Sequence, residues 1–202
     1  MPKVISVGNM KGGVGKTTTS IQLAQILGKR GRTLLVDADT ELQSAVEWRG
    51  GEYPWAFEIV PFAELSGINL DEYEYVVVDT KGNEQGRDLV ALAQDSDLLL
   101  IPTKPDGVSA PGLARTLQPL VAANVTNYRV LIVANVGGRG DELREALAEE
   151  GVPVLTTLVR YSTAAGDAAA MHVPLEGLKG NRYAKLIALD YTSATREVLS
   201  HV

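Results

Sequence analysis

Short apolar runs alternate along this chain with longer segments in which apolar residues recur every three or four positions. Several of the short runs are nearly unbroken Val, Ile and Leu, which is typical of β-strands covered on both faces. We predict strands at residues 3–9, 33–37, 57–60, 75–79, 97–102, 129–135 and 153–158, the third of them near a sheet edge. The longer periodic segments predict helices at residues 16–30, 84–94, 110–123, 141–150 and 182–200.

Alternation of strands and helices favours the α/β class, here a doubly wound, mostly parallel sheet with helices on both faces. The chain has no proline- or serine-rich linker, low-complexity tract or internal repeat, so we predict a single domain over residues 1–202. Its longest apolar runs have the length of strands and are far too short to form a membrane-spanning helix. Open parallel sheets bind ligands at the carboxyl ends of their strands, and we expect the chemistry there.

A glycine-rich loop follows the first predicted strand, where residues 10–18 read MKGGVGKTT and open a predicted helix. Its glycines allow backbone N–H groups to approach phosphate oxygens, and the helix N-terminus adds partial positive charge. We predict that Lys16 reaches the β- and γ-phosphates and that the Thr17 hydroxyl ligates Mg²⁺. An ordinary turn with solvated lysines is the alternative. The predicted nucleotide contacts are Lys11, Gly12, Gly13, Val14, Gly15, Lys16, Thr17 and Thr18.

The loop departs from the G-x-x-x-x-G-K-[ST] pattern because Met10 holds the first glycine position, and an additional lysine, Lys11, follows. This variant resembles the deviant Walker A motif of the ParA/MinD family of P-loop NTPases, and the chain looks most like the short ParA-type plasmid partition ATPases. The resemblance implies ATP and Mg²⁺ as cofactors, slow ATP hydrolysis, and a homodimer of ATP-bound subunits. In that dimer Lys11, which matches the signature lysine, reaches the partner's phosphates, so Lys11 and Lys16 are both predicted catalytic residues.

Two carboxylates follow the second predicted strand in the segment Asp37-Ala38-Asp39. At a strand end such a pair is able to face one phosphate site, one group ordering the Mg²⁺ shell and the other orienting the attacking water. The resemblance implies that Asp39, in switch I, orients the attacking water and that Asp37 lies nearer the metal. Capping of the following helix is the alternative for both. Family members usually continue D-x-D-P-Q, whereas Thr40 and Glu41 follow here.

A third carboxylate, Asp79, ends an apolar strand in the manner of a Walker B motif and is predicted to hold Mg²⁺. The next residues resemble switch II, where the N–H of Gly82 would sense the γ-phosphate and Lys81 is a mild departure. Asn135 ends a later strand at the position where related NTPases place an asparagine against the base. Ordinary turn formation is the alternative for Asp79 and Asn135.

The charge of the chain restricts how it could hold DNA. Nineteen Lys and Arg against twenty-five Asp and Glu give a net charge of −6, which argues against binding through overall charge. ParA-type ATPases nevertheless bind DNA non-specifically as ATP dimers, and a small centromere-binding partner stimulates their hydrolysis. The resemblance therefore implies non-specific DNA and a ParB- or ParG-like protein as partners, no membrane, and a cytoplasmic, nucleoid-associated location. The candidate DNA contacts, for which solvated helix faces are the alternative, are Arg160, Lys179, Arg182, Lys185 and Arg196.

The predicted function is thus an ATPase that segregates or positions a plasmid, a chromosome region or another cargo. The absence of cysteine excludes disulfides, thiolate catalysis and iron–sulfur clusters. The two histidines, His172 and His201, show no metal-binding spacing and are interpreted as structural. Two other functions stay open. One is a metabolic ligase or kinase resembling dethiobiotin synthetase, for which no acceptor motif is visible. The other is a MinD-like membrane-associated ATPase, for which a basic amphipathic tail is missing.

Overall fold

The computed structural model describes residues 1–82, 85–107 and 110–202, and its centre is a seven-stranded sheet. Every strand pair is parallel, and the spatial order is β3-β2-β4-β1-β5-β6-β7. The strands are β1 Lys3–Val7, β2 Thr33–Asp37, β3 Glu58–Pro61, β4 Tyr75–Asp79, β5 Leu98–Thr103, β6 Tyr128–Asn135 and β7 Val154–Arg160. All seven predicted strands are confirmed to within two residues at either end, and β3 lies at the predicted edge.

The five predicted helices are confirmed, and two short helices were missed. The helices are α1 Lys16–Gly28, α2 Ser44–Arg49, α3 Gly86–Gln94, α4 Ala110–Ala122, α5 Arg139–Glu149, α6 Ala164–Ala170 and α7 Arg182–Leu199. The missed helices are α2 and α6. The predicted start of the second helix at Glu84 lies outside the described residues. None of the helices in the described part of the chain combines the length and apolarity needed to traverse a bilayer.

Helix α1 lies deep in the molecule and positions the loop that precedes it. Its residues Ile21, Ala24 and Leu27 are fully buried in the largest apolar cluster, together with side chains of β1, β2 and α7. Burial of each large side chain stabilises the fold by about 2 kcal/mol. Because α1 packs on both the sheet and α7, its N-terminus is held at a fixed point of the sheet's carboxyl edge.

The register of the sheet brings the predicted acidic residues together. Asp37, the last residue of β2, is the register partner of Asp79, the last residue of β4. Asp79 is in turn paired with Val7, the last residue of β1, from which the glycine-rich loop departs. The loop and both carboxylates therefore share one edge of the sheet, as the parallel topology predicts.

Candidate functional site

The glycine-rich loop joins β1 to α1 with two residues in the left-handed region. Gly13 has φ 72° and Gly15 has φ 90°, conformations that favour glycine because a Cβ would be strained there. Gly15 occupies the N-cap position of α1, and no side chain caps the helix. The first N–H groups of α1 therefore face the site, where they are suited to bind an anion.

Lys16 places a cation inside this loop. Its side chain is only 7% exposed, and its Nζ donates to the carbonyl of Lys11 at 3.4 Å. This ammonium group gives the loop a positive charge that is suited to bind an anion. Gly82 lies close to the Lys16 ammonium group and to the loop. A Cβ built on Gly82 would be 3.9 Å from Lys16 Nζ and 3.5 Å from the Cα of Gly12.

Asp79 lies beneath the start of α1 and is 1% exposed. Ser20 Oγ donates to its Oδ1 at 2.7 Å, and the Thr17 hydroxyl also bonds to it. The pKa of Asp79 is raised from 3.8 to about 7. Burial is the main cause and the neighbouring Asp37 contributes to the rise, whereas the hydroxyls of Ser20 and Thr17 and the charge of Lys16 lower the pKa. A buried carboxylate beside a threonine hydroxyl is a donor set that Mg²⁺ prefers, since hard cations take oxygen ligands.

Asp37 is also fully buried, but its oxygens accept backbone N–H groups. Oδ2 accepts from Ala45 and Val46, both at 3.0 Å, and Oδ1 accepts from Asp39 at 3.1 Å. Asp37 therefore caps α2 from the preceding strand, and this geometry favours the capping role over metal ligation. Asp39 is partly exposed, and its Oδ1 accepts from the backbone of Glu41 and Leu42 at 3.2 and 3.0 Å.

Asn135 has a structural partner at the end of β6. Its Oδ1 accepts from the N–H of Gly140 at 2.8 Å, and a Cβ on Gly140 would lie 2.7 Å from the Asn135 amide. The residue before it, Ala134, has φ 57° and lines the main cavity. The structure thus places Ala134 in the wall of the cavity and ties Asn135 into the start of α5.

A cavity of about 770 Å³ opens beside the loop. Its walls come from the loop and α1, from the ends of β6 and β7, and from α2, α6 and α7. The lining includes Gly13, Lys16, Thr17, Trp48, Ala134, Arg160, Tyr161, His172 and Tyr191. Its size suits a nucleotide-sized ligand, because pockets for such molecules span roughly 300–1,000 Å³.

Sequence reasoning missed the part that Trp48 takes in the wall of this cavity. Trp48 is 6% exposed and donates from Nε1 to the carbonyl of Val173 at 2.9 Å. His172, with φ 53°, pairs through Nδ1 with the carbonyl of Glu47 at 2.9 Å. These bonds tie α2 to the segment after α6. The only available signal was the aromatic residue itself, because no local motif joins positions 125 residues apart in the chain.

The five candidate DNA contacts fall into two groups. Lys179, Arg182, Lys185 and Arg196 are exposed, and three of them lie on α7. Arg160 is exposed as well, but it forms a bidentate pair with Asp190, with Nε 2.7 Å from Oδ2 and an Nη 2.8 Å from Oδ1. Because this pair neutralises Arg160 at the cavity wall, the geometry argues against a DNA contact there.

Comparisons with known proteins agree with this geometry. The family model of the CobQ/CobB/MinD/ParA nucleotide-binding domain matches residues 5–175. The chain is 36% identical over 186 residues to the maintenance of carboxysome distribution protein A of Gloeobacter kilaueensis, covering 88% of this chain and 83% of that one.

Two solved structures share the fold. One is a putative plasmid partition protein of Borrelia burgdorferi bound to AMPPNP, with a TM-score of 0.70 at 18% identity over 100% of this chain and 98% of that one. The other is the septum site-determining protein MinD of Pyrococcus horikoshii complexed with Mg-ADP, with a TM-score of 0.70 at 17% identity over 98% of each chain.

Proposed function

Because the chain belongs to the CobQ/CobB/MinD/ParA nucleotide-binding family, we propose that it is a ParA-type ATPase that positions a cargo through an ATP-dependent dimer. One observation carries the proposal. A buried lysine and a helix N-terminus line a cavity of nucleotide size, and a buried carboxylate lies against the first turns of the same helix. Lys11, the additional lysine of the loop, distinguishes this arrangement from an ordinary P-loop.

ATP and Mg²⁺ fit the residues that are present. Lys16 and the N–H groups of the loop supply positive charge for the phosphates, and the cavity walls at β6 and β7 accommodate the nucleoside. Thr17 and Asp79 would hold Mg²⁺, which supplies charge neutralisation between the phosphates. The raised pKa of Asp79 supports this role, because the ionised carboxylate lacks a full countercharge in its buried site.

Hydrolysis in this proposal depends on two residues outside the phosphate cradle. Asp39, on the loop after β2, orients the attacking water, and Lys11 of one subunit stabilises the charge on the nucleotide of the other. Oδ1 of Asp39 is engaged by its own loop, so the loop fixes the direction of the carboxylate. Because the partner subunit must supply Lys11 to complete the site, we expect ATP turnover to be slow.

We propose that the protein positions its cargo by binding non-specific DNA. A small ParB- or ParG-like protein is the proposed stimulator of hydrolysis. The chain carries a net charge of −6, so a DNA-binding surface must be local. Lys179, Arg182, Lys185 and Arg196 provide it, and dimerisation doubles the surface. The names of the relatives make a carboxysome-like assembly or a plasmid the proposed cargo, in the cytoplasm on the nucleoid.

The proposal is tested by binding to duplex DNA of arbitrary sequence with ATP, with ADP, and with ATP in the Lys11→Ala variant. We expect salt-sensitive binding only for the wild-type protein with ATP, since each phosphate contact adds about 0.9 to the salt slope. Arg196→Ala should lower that slope, whereas Arg87→Ala, a matched change at an exposed site on α3, should leave it unchanged. Equal binding in all nucleotide states would overturn the proposal.

A further inference from the structure

Asn9 and Thr116 form a buried polar clamp beneath the first half of the phosphate loop. Asn9 is 1% exposed and Thr116 is fully buried. The Nδ2 of Asn9 donates to the carbonyl of Pro102 on β5 at 2.8 Å, and its Oδ1 accepts from the N–H of Lys11 at 2.8 Å. Thr116 Oγ1, on α4, donates to the same Oδ1 at 2.9 Å. The amide therefore joins the loop to both β5 and α4.

The Thr116 hydroxyl has further partners. Its oxygen accepts from the N–H of Met10 at 3.3 Å, and its single proton has a second acceptor, the carbonyl of Gly112, at 2.9 Å. Helix α4 thus contacts two successive residues of the loop, Met10 directly and Lys11 through Asn9. Buried polar groups that are bonded in this way fix backbone position, because moving any one of them leaves others unsatisfied.

The same helix supports the side chain of Lys11. A Cβ built on Gly112 would lie 3.1 Å from Cδ, 3.4 Å from Cβ and 3.6 Å from Cγ of Lys11, and these are its three nearest neighbours outside the helix backbone. Glycine at position 112 therefore leaves space for the methylene stem of the lysine on the first turn of α4. Polar bonds fix the backbone of Lys11, and this contact directs its side chain.

We infer that Asn9, Gly112 and Thr116 are positioning residues for Lys11, and that α4 sets the direction in which this lysine leaves its subunit. The inference rests on the proposed function, in which Lys11 acts on the nucleotide of a partner subunit. The second half of the loop is continuous with α1 and contacts the clamped residue Lys11 through the long bond, 3.4 Å, from Lys16 Nζ to the Lys11 carbonyl. Disturbing the clamp should therefore impair turnover and dimerisation while leaving nucleotide binding by the single subunit nearly unchanged.

Gly112→Ala is the sharpest test, because the three atoms nearest to the added methyl group outside its own helix all belong to Lys11. Alanine is favoured over glycine within a helix, so this variant should unfold at the same or a higher temperature than the wild type. We expect turnover at saturating ATP to fall on the order of tenfold, since displacing a reacting group by a fraction of an ångström is costly. The KM for ATP should stay close to that of the wild type. Wild-type turnover in this stable variant would overturn the inference.

Thr116→Val and Thr116→Ser form a matched pair that tests the polar clamp. Valine removes the hydroxyl and serine keeps it, so serine should restore the ATP-dependent dimer and turnover that valine loses. Equal behaviour of the two variants would show that the hydroxyl does not position Lys11.

The wild-type protein and Lys11→Ala separate this inference from the proposed function. If the wild type forms no dimer with ATP in size-exclusion chromatography, the proposed function fails. If the wild type dimerises, Lys11→Ala does not, and Gly112→Ala and Thr116→Val match the wild type, the inference alone fails.

Discussion

The ends of β2 and β4 carry two aspartates that occupy equivalent positions in different surroundings. Asp37 and Asp79 are register partners on adjacent strands, and neither is more than 1% exposed. Asp37 accepts three backbone N–H groups, so both of its oxygens have partners within the protein. Asp79 accepts the hydroxyls of Ser20 and Thr17, and burial raises its pKa to about 7.

This difference shows how two buried carboxylates of one site divide structural and chemical roles. Burial and position at the sheet edge are common to both and distinguish neither. The bonding partners separate them, because Asp37 is satisfied by the protein whereas Asp79 would be stabilised by an added cation in the proposed function. Asp37 therefore holds the fold of the site, and Asp79 carries its metal chemistry in the proposed function.

The largest expected effect concerns the pH dependence of stability without nucleotide. A pKa of Asp79 raised from 3.8 to about 7 means that the folded protein binds a proton more tightly than the unfolded chain. This contribution is full below pH 4 and is lost as the pH rises through 7, amounting to ~4 kcal/mol. Urea unfolding from pH 4.5 to 8 should show that loss in the wild type and not in Asp79→Asn. Parallel pH profiles for the two proteins would contradict the assignment.

Replacement of Asp37 tests the other half of the comparison. Asp37→Ala removes three hydrogen bonds and leaves the N–H of the buried Ala45 without its acceptor, so the free energy of unfolding should fall by about 2–4 kcal/mol. Asp37→Asn, which keeps one acceptor oxygen, should cost less. Chemical denaturation measures both. If the Asp37→Ala protein has wild-type stability but fails to bind Mg²⁺ with nucleotide, Asp37 is a metal ligand and not a capping residue.

The smallest expected effect comes from Ser20, whose hydroxyl bonds to Asp79 at 2.7 Å. Ser20→Ala removes one bond to a charged acceptor, which is worth about 1.5 kcal/mol, and should raise the Mg²⁺ concentration needed for half-maximal turnover about tenfold. Ser20→Thr restores the hydroxyl and should restore the Mg²⁺ requirement. An unchanged Mg²⁺ titration in Ser20→Ala would show that this bond does not support the metal role of Asp79.

The sheet and the phosphate loop were predictable from the sequence because their signals are local. Unbroken apolar runs mark strands covered on both faces, and the loop motif is contiguous. Helix α2 was missed because its N-terminal cap is Asp37, at the end of the preceding strand, while Gln43 before the helix gives no capping signal. Helix α6 was missed because its sequence, AAGDAAA, shows no apolar periodicity.

The roles of individual polar residues depended on distant partners. Arg160 is exposed like the other candidate DNA contacts, but its pairing with Asp190, thirty positions away, holds it at the cavity wall. The sequence was consistent with Asn135 as a base contact or as a turn residue, and the bond from Gly140 to Asn135 supports the second interpretation. Sequence placed these residues at the site but could not assign their bonds, because the bonds form only after the helices pack on the sheet.

The position of Trp48 gives the protein an intrinsic optical reporter. Trp48 lines the cavity, is almost wholly buried, and is one of two tryptophans in the chain. The other, Trp55, packs edge-on between Tyr53 and Phe57. In Trp55→Phe all tryptophan emission would come from Trp48, so a ligand entering the cavity would change the intensity and wavelength of that emission. Ligand entry could then be followed in real time on the unlabelled protein.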